Sequence, residues 1–125
     1  MNLMRKKGNA MPYLKLTTNT PLNDSDSDEL LNQLSQLMAL ETGKSENYVL
    51  VELNQNHHML FAGNKDPLAY LECKSIGLTT DQTTSISKSI SECLEKLLNI
   101  ERTRTYIEFS DCPGEYWGWN GATFR

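Results

Sequence analysis

Cysteine is scarce in this chain. Its three copies, Cys73, Cys93 and Cys112, lie far apart and form no C-x-x-C pair. An odd number at such spacing argues against a disulfide framework and fits a reducing compartment. No apolar run is long enough to span a bilayer. The opening "MNLMRKKGNA" is basic, but no apolar stretch follows it. No secretory signal is therefore expected, and the cytoplasm is the expected location. Surplus charge is small, with a formal net charge of −4 over 125 residues. That gives no reason to expect nucleic acid or an anionic membrane as a partner. There are only two histidines, the adjacent pair His57-His58. Neighbours in a strand point to opposite faces, and no Cys or His stands at ligand spacing, so no metal site is expected. The acidic "DSDSDE" lacks the glycine and terminal glutamate spacing of a calcium-binding EF-hand, and reads as a helix cap.

What is present fits one domain. A chain of this length buries roughly two-thirds of its unfolded surface, enough for one modest core. Residues 1–11 are basic and without periodicity, and read as an N-terminal tail. Residues 12–125 carry the pattern. "PYLKLTT" alternates as a strand, with Leu14 and Leu16 on one face, and its opening proline suits a strand's first residue. Ser25 with Asp28, or Asp26 with Glu29, forms a capping box for a helix over about 26–42. Leu30, Leu31, Leu34, Leu37 and Met38 are its apolar stripe, and Gly43 its C′ residue. "YVLVEL" (48–53) is a strand open to burial on both faces, "HHMLFAG" a short strand, "NKDP" a turn, and "LAYLECKS" (68–75) a strand. A second helix starts at Thr80 or Asp81 and buries Ile86, Ile90, Leu94, Leu97 and Leu98. "TYIEFS" (105–110) follows, then a turn-rich aromatic end with room for a last short strand.

One strand–helix–strand unit thus occurs twice, at an offset of roughly 55–58 residues. Right-handed crossovers give an α/β (strictly α+β) fold, with a mixed four-stranded sheet and two helices on one face. The other sheet face carries enough apolar and aromatic residues to need a cover, and self-association is the simplest one.

Four motifs, "MPYLKLTTNTP", "TGKSENYVLVEL", "SIG" and "TYIEF…GWNGATF", occur in this order from Met11 to the C-terminus. Together they resemble the macrophage migration inhibitory factor family of the tautomerase superfamily. The resemblance implies a homotrimer whose sheets form a central barrel. It also implies cofactor-independent keto–enol tautomerisation of 2-keto acids such as phenylpyruvate, and of dopachrome-like compounds. Cytokine-like behaviour through a protein receptor, with release from the cell without a leader, is the family's other implication.

Carried over, Pro12 is the catalytic base, as an N-terminal imino group exposed by removal of methionine. A free α-amine titrates near pH 8. Burial and nearby cations disfavour its charged form, which brings it toward a useful working pH. If residue 11 stays attached, the nitrogen is an amide and its basicity is lost. Translation starting at Met11, or cleavage of the tail, would free it. Without the resemblance, Pro12 would simply open an edge strand.

Lys44 is implied to pair with the substrate carboxylate; alone it would read as a lysine complementing the helix dipole. Ile76 is implied to offer its backbone N–H, and Tyr106 to reach in from a neighbouring subunit. Tyr48, Trp119 and Phe124 are implied as aromatics at the pocket rim, although unaligned they would read as packing. Glu108 departs from the family, standing where the animal cytokines have an asparagine that hydrogen-bonds substrate. A carboxylate there opposes a carboxylate substrate unless it pairs with Lys44 or turns away. Trp117 replaces an aliphatic residue and narrows the pocket mouth. The cytokines' C-x-x-C is replaced by "PLAYL", so thiol oxidoreductase activity is not expected.

Overall fold

The computed structural model describes residues 12–124. The proposed tail and the Met11–Pro12 junction lie outside the described residues.

Strand β1 (Tyr13–Thr18) leads to helix α1 (Asp24–Thr42) and strand β2 (Leu50–Asn54). Strand β3 (Ala69–Ser75), helix α2 (Thr80–Leu98) and strand β4 (Thr105–Asp111) repeat the unit. Both helices are 19 residues long. The sheet runs β2-β1-β3-β4, with parallel pairs at the two edges and the antiparallel β1–β3 pair in the middle.

One face of the sheet is the core. Leu14 and Leu16 of β1, with Ala69, Leu71 and Cys73 of β3, are all buried against the helices. Leu30, Leu34 and Met38 of α1 and Ile86, Ile90 and Leu94 of α2 meet them at helical spacing. The helices are also tied to each other. The Glu41 carboxylate accepts hydrogen bonds from Ser85 Oγ and Ser89 Oγ, each at 2.6 Å.

Several local expectations are corrected. The cap of α1 is Asn23, whose Oδ1 accepts the Asp26 N–H at 2.7 Å, so Ser25 and Asp26 lie inside the helix. Asp24 and Asp26 then face the positive end of the helix dipole. Helix α2 carries the true capping box, between Thr79 and Gln82. "HHMLFAG" is not a strand. Asn56 and Ala62 have φ of 59° and 53°, and Gly63 follows at 75°, so the chain turns before a ladder can form. Only the isolated bridge between Phe61 and Asn64 remains. "YVLVEL" gives a strand only from Leu50, because 46–48 form a 3-10 turn capped by the Ser45 side chain. Nor is β2 buried on both faces: Leu50 and Glu52 are exposed while Val51 and Leu53 are half-buried.

The face away from the helices is less apolar than its pattern suggested. It presents Tyr13, Lys15, Leu50, Glu52, Tyr70, Glu72, Lys74, Tyr106 and Glu108. Two tyrosines donate to carboxylates, Tyr13 to Glu52 at 2.7 Å and Tyr70 to Glu108 at 2.6 Å. Such a face tolerates water, so hydrophobic cover alone does not demand self-association.

Arg104, just before β4, is buried and fastens the loop ahead of β3. Its guanidinium donates to the carbonyls of Phe61, Asn64, Asp66 and Pro67 and lies 5.2 Å from the centre of the Phe61 ring.

Candidate active site

The site begins where α1 ends. Gly43 adopts φ 70°, the left-handed conformation that glycine takes at least cost, and Lys44 follows directly. The Lys44 side chain runs inward and is only 8% exposed. Its Nζ donates to Ser75 Oγ at 2.7 Å and to the Ile76 carbonyl at 2.6 Å. Burial lowers the Lys44 pKa below its usual 10.5, while the charge of Asp111 opposes the shift. Beneath it the buried Cys73 thiol is pushed up to about 12 by desolvation, so it stays neutral and unreactive at physiological pH.

Pro12 reaches the same place from β1. Tyr13 lies opposite Lys74 in the antiparallel register, and one step back sets Pro12 opposite Ser75. The Pro12 ring is fully buried, and its carbonyl accepts the Leu50 N–H at 3.0 Å.

Ile76 completes the group. The Ser75 carbonyl points toward β4, where it accepts the Cys112 N–H at 2.9 Å. In a planar trans peptide the N–H points opposite to the carbonyl. The Ile76 N–H is therefore directed to the β1 side, where Pro12 lies. A buried ammonium, a backbone donor and the Pro12 nitrogen thus converge on one end of the sheet.

The wall of this end is aromatic. After β4 the chain makes a 3-10 turn at Gly114–Tyr116 and then a hairpin of β5 (Gly118–Trp119) and β6 (Ala122–Thr123). Asn120 and Gly121, at φ 54° and 77°, form the hairpin's tight turn. Phe124 packs into a small buried cluster with Ile76, Cys112 and Trp117. Trp119 stands edge-on to Tyr48 at 5.5 Å and stacks on Phe124 at 6.2 Å. Gly114 makes the approach possible, because a Cβ there would collide with the Phe124 carbonyl. Gly114→Ala should displace the C-terminal segment and cost about 1–3 kcal/mol, the usual cost of overpacking. Denaturant melting together with a shift of tryptophan fluorescence would measure it.

Pro12, Lys44, Ile76, Tyr48, Trp119 and Phe124 are thereby brought together. Tyr106 and Glu108 are not. Tyr106 is the second residue of β4, about 16 Å along the strand from its Asp111 end at the usual rise per residue. It is 65% exposed and packs on Phe61 with 4.7 Å between ring centres. With Leu60, Phe61, Leu68 and Tyr70 it lines an apolar recess of about 300 Å³. Glu108, exposed on the open face, pairs with Tyr70 and not with Lys44. Ser75 and Asp111 belong to the site but have no local sequence signature. The closing hairpin had one, in the Asn-Gly pair. His57 and His58 are exposed loop residues. Among the described residues no three His, Cys, Asp or Glu side chains gather as metal ligands.

Comparison with known proteins decides the family. The profile described as Macrophage migration inhibitory factor (MIF) matches residues 11–125. The chain belongs to this family. It is 37% identical over 115 residues to the macrophage migration inhibitory factor of Xenopus tropicalis, covering 91% of this chain and 99% of the relative. It is 38% identical over 118 residues to the homologue from Brugia malayi, with the same coverage. Among solved structures, the homologue from Prochlorococcus marinus matches with a TM-score of 0.85 at 38% identity, over 90% of this chain and 99% of that one. The Trichinella spiralis factor matches at 0.81 and 30% identity, over the same shares. The mixed four-stranded sheet with two helices is thus this family's fold, and a tautomerase-superfamily function follows from membership. Among the described residues no helix is long and apolar enough to cross a membrane.

Proposed function

We propose that the protein is a cofactor-independent keto–enol tautomerase of phenylpyruvate-like 2-keto acids, with Pro12 as its base after residues 1–11 are absent or removed. The supporting observation is the convergence of Pro12, the Lys44 ammonium and the Ile76 N–H in a sheltered corner. Lys44 takes the substrate carboxylate. The Ile76 N–H donates to oxygen that gains charge as the enolate forms. The Pro12 nitrogen removes the proton on carbon and returns it at the other position, so no electron or group is lost. Tyr48, Trp119 and Phe124 exclude water around an aromatic side chain. The family profile begins at residue 11, which supports a mature chain that starts at Pro12. Dopachrome-like compounds are candidate substrates of the same chemistry.

The family resemblance implies a homotrimer, in which Tyr106, remote from Pro12 within one chain, would enter a neighbour's site. A second reading is a cytokine-like trimer that binds a protein receptor and has an inert pocket. It is favoured by one observation: in the chain as written, residue 11 precedes Pro12 and makes its nitrogen an amide. Intact mass of the native protein, with ultraviolet assay of enol-phenylpyruvate ketonisation on the same sample, separates the two. A mass matching a chain that begins at Pro12, with turnover well above the buffer rate, supports the enzyme; an uncut tail without turnover supports the second reading.

A further inference from the structure

Lys44 and Asp111 grip one peptide group from opposite ends. Lys44 Nζ donates to the carbonyl oxygen of Ile76 at 2.6 Å. The N–H of the same peptide unit, on Gly77, donates to Asp111 Oδ1 at 2.8 Å. The next N–H, on Leu78, donates to the same oxygen at 3.1 Å. Cation, peptide and anion form one hydrogen-bonded chain in which each link polarises the next. This chain fixes the turn that follows β3. Asp111 stands opposite Ser75 in the β3–β4 register, which brings its carboxylate to this turn while the residue itself stays exposed.

We propose that Asp111 is the positioning residue of the anion-binding corner, acting through the Ile76–Gly77 peptide to orient the Ile76 turn and the Lys44 ammonium bound to it. The inference rests on the tautomerase reading for its substrate, but not for its electrostatics. Among the described residues, the charges acting on Lys44 are Asp111 from β4 and, were it ionised, the Cys73 thiol from β3. The Pro12 nitrogen of β1 adds to them once it is freed.

The test uses protein beginning at Pro12, in unsubstituted, Asp111→Asn and Asp111→Ala forms. Asparagine keeps an oxygen that can accept from Gly77 and Leu78 but removes the charge, whereas alanine removes both. Two readouts are taken: NMR titration of the Lys44 side chain, and KM for enol-phenylpyruvate across pH. In Asp111→Asn, Lys44 should titrate at lower pH, and the alkaline rise in KM should move down with it. In Asp111→Ala, KM at neutral pH should also rise about tenfold, more than kcat falls, as the turn slackens. A purely structural role predicts that asparagine restores both profiles, and superimposable profiles would overturn the proposal. A shifted Lys44 titration without turnover in any form would sink the tautomerase reading while leaving the coupling in place.

Discussion

Pro12→Gly should lower the ketonisation rate about 10²- to 10⁴-fold, the usual contribution of a positioned general base. Glycine keeps an N-terminal amine, but a primary one without the ring. The pyrrolidine fixes φ and thus the direction of the nitrogen lone pair. It also fills a fully buried position against the core. Glycine loses that fixed direction and lets water approach, which favours the protonated, inactive form. Stopped-flow ultraviolet assay at saturating enol measures the loss, with circular dichroism to show an intact fold. A rate within threefold of the parent would remove Pro12 from the chemistry.

Lys44→Met is expected to act chiefly on binding. Methionine fills much of the lysine's volume and carries no charge, so Ser75 Oγ and the Ile76 carbonyl lose a charged donor. Charge-assisted bonds of this kind are worth about 1.5–3 kcal/mol, so KM for a carboxylate substrate should rise about 10- to 100-fold. Stability should move little, since the ammonium is itself costly to bury. The pH dependence has a definite sign. Burial depresses the Lys44 pKa below 10.5. Carboxylate binding therefore weakens as pH rises through that lowered value, before an ordinary lysine would titrate. Stability runs the other way. The fold favours the neutral form, so this contribution is fully present above 10.5 and is lost as pH falls through the folded pKa. KM measured from pH 7 to 10 in the parent and in Lys44→Met checks the binding, and denaturant unfolding of both across alkaline pH checks the stability. The parent's KM should climb with pH, and the variant's should stay flat.

The doubled strand–helix–strand unit was legible because its two apolar periods are strong. Leu30, Leu34 and Met38, then Ile86, Ile90 and Leu94, recur at helical spacing and lie at the centre of the core. Where the pattern misled, local backbone geometry decided. "HHMLFAG" has a strand's composition, yet positive φ at Asn56, Ala62 and Gly63 bends it into a loop fastened by Arg104. On the open face, tyrosines counted as apolar are partly satisfied by glutamates across the sheet, Tyr13 by Glu52 and Tyr70 by Glu108. Such cross-strand pairs need a register, which a single strand's pattern does not give.

The corner around Pro12 was only partly legible. Lys44 and Ile76 are implied by family motifs, but the bonds that lock them come from Ser75 and Asp111. These two residues sit more than thirty positions from Lys44 or on another strand. Glu108 stands apart from this corner within one chain.

The most direct measurement uses a matched pair of proteins, one beginning at Pro12 and one retaining a single residue before it, each verified by intact mass. Both should fold alike, since the core cluster is built from Leu14 onward. Only the first should interconvert keto and enol phenylpyruvate, because only there is the ring nitrogen a base. Equal turnover by the extended chain would contradict the proline mechanism outright.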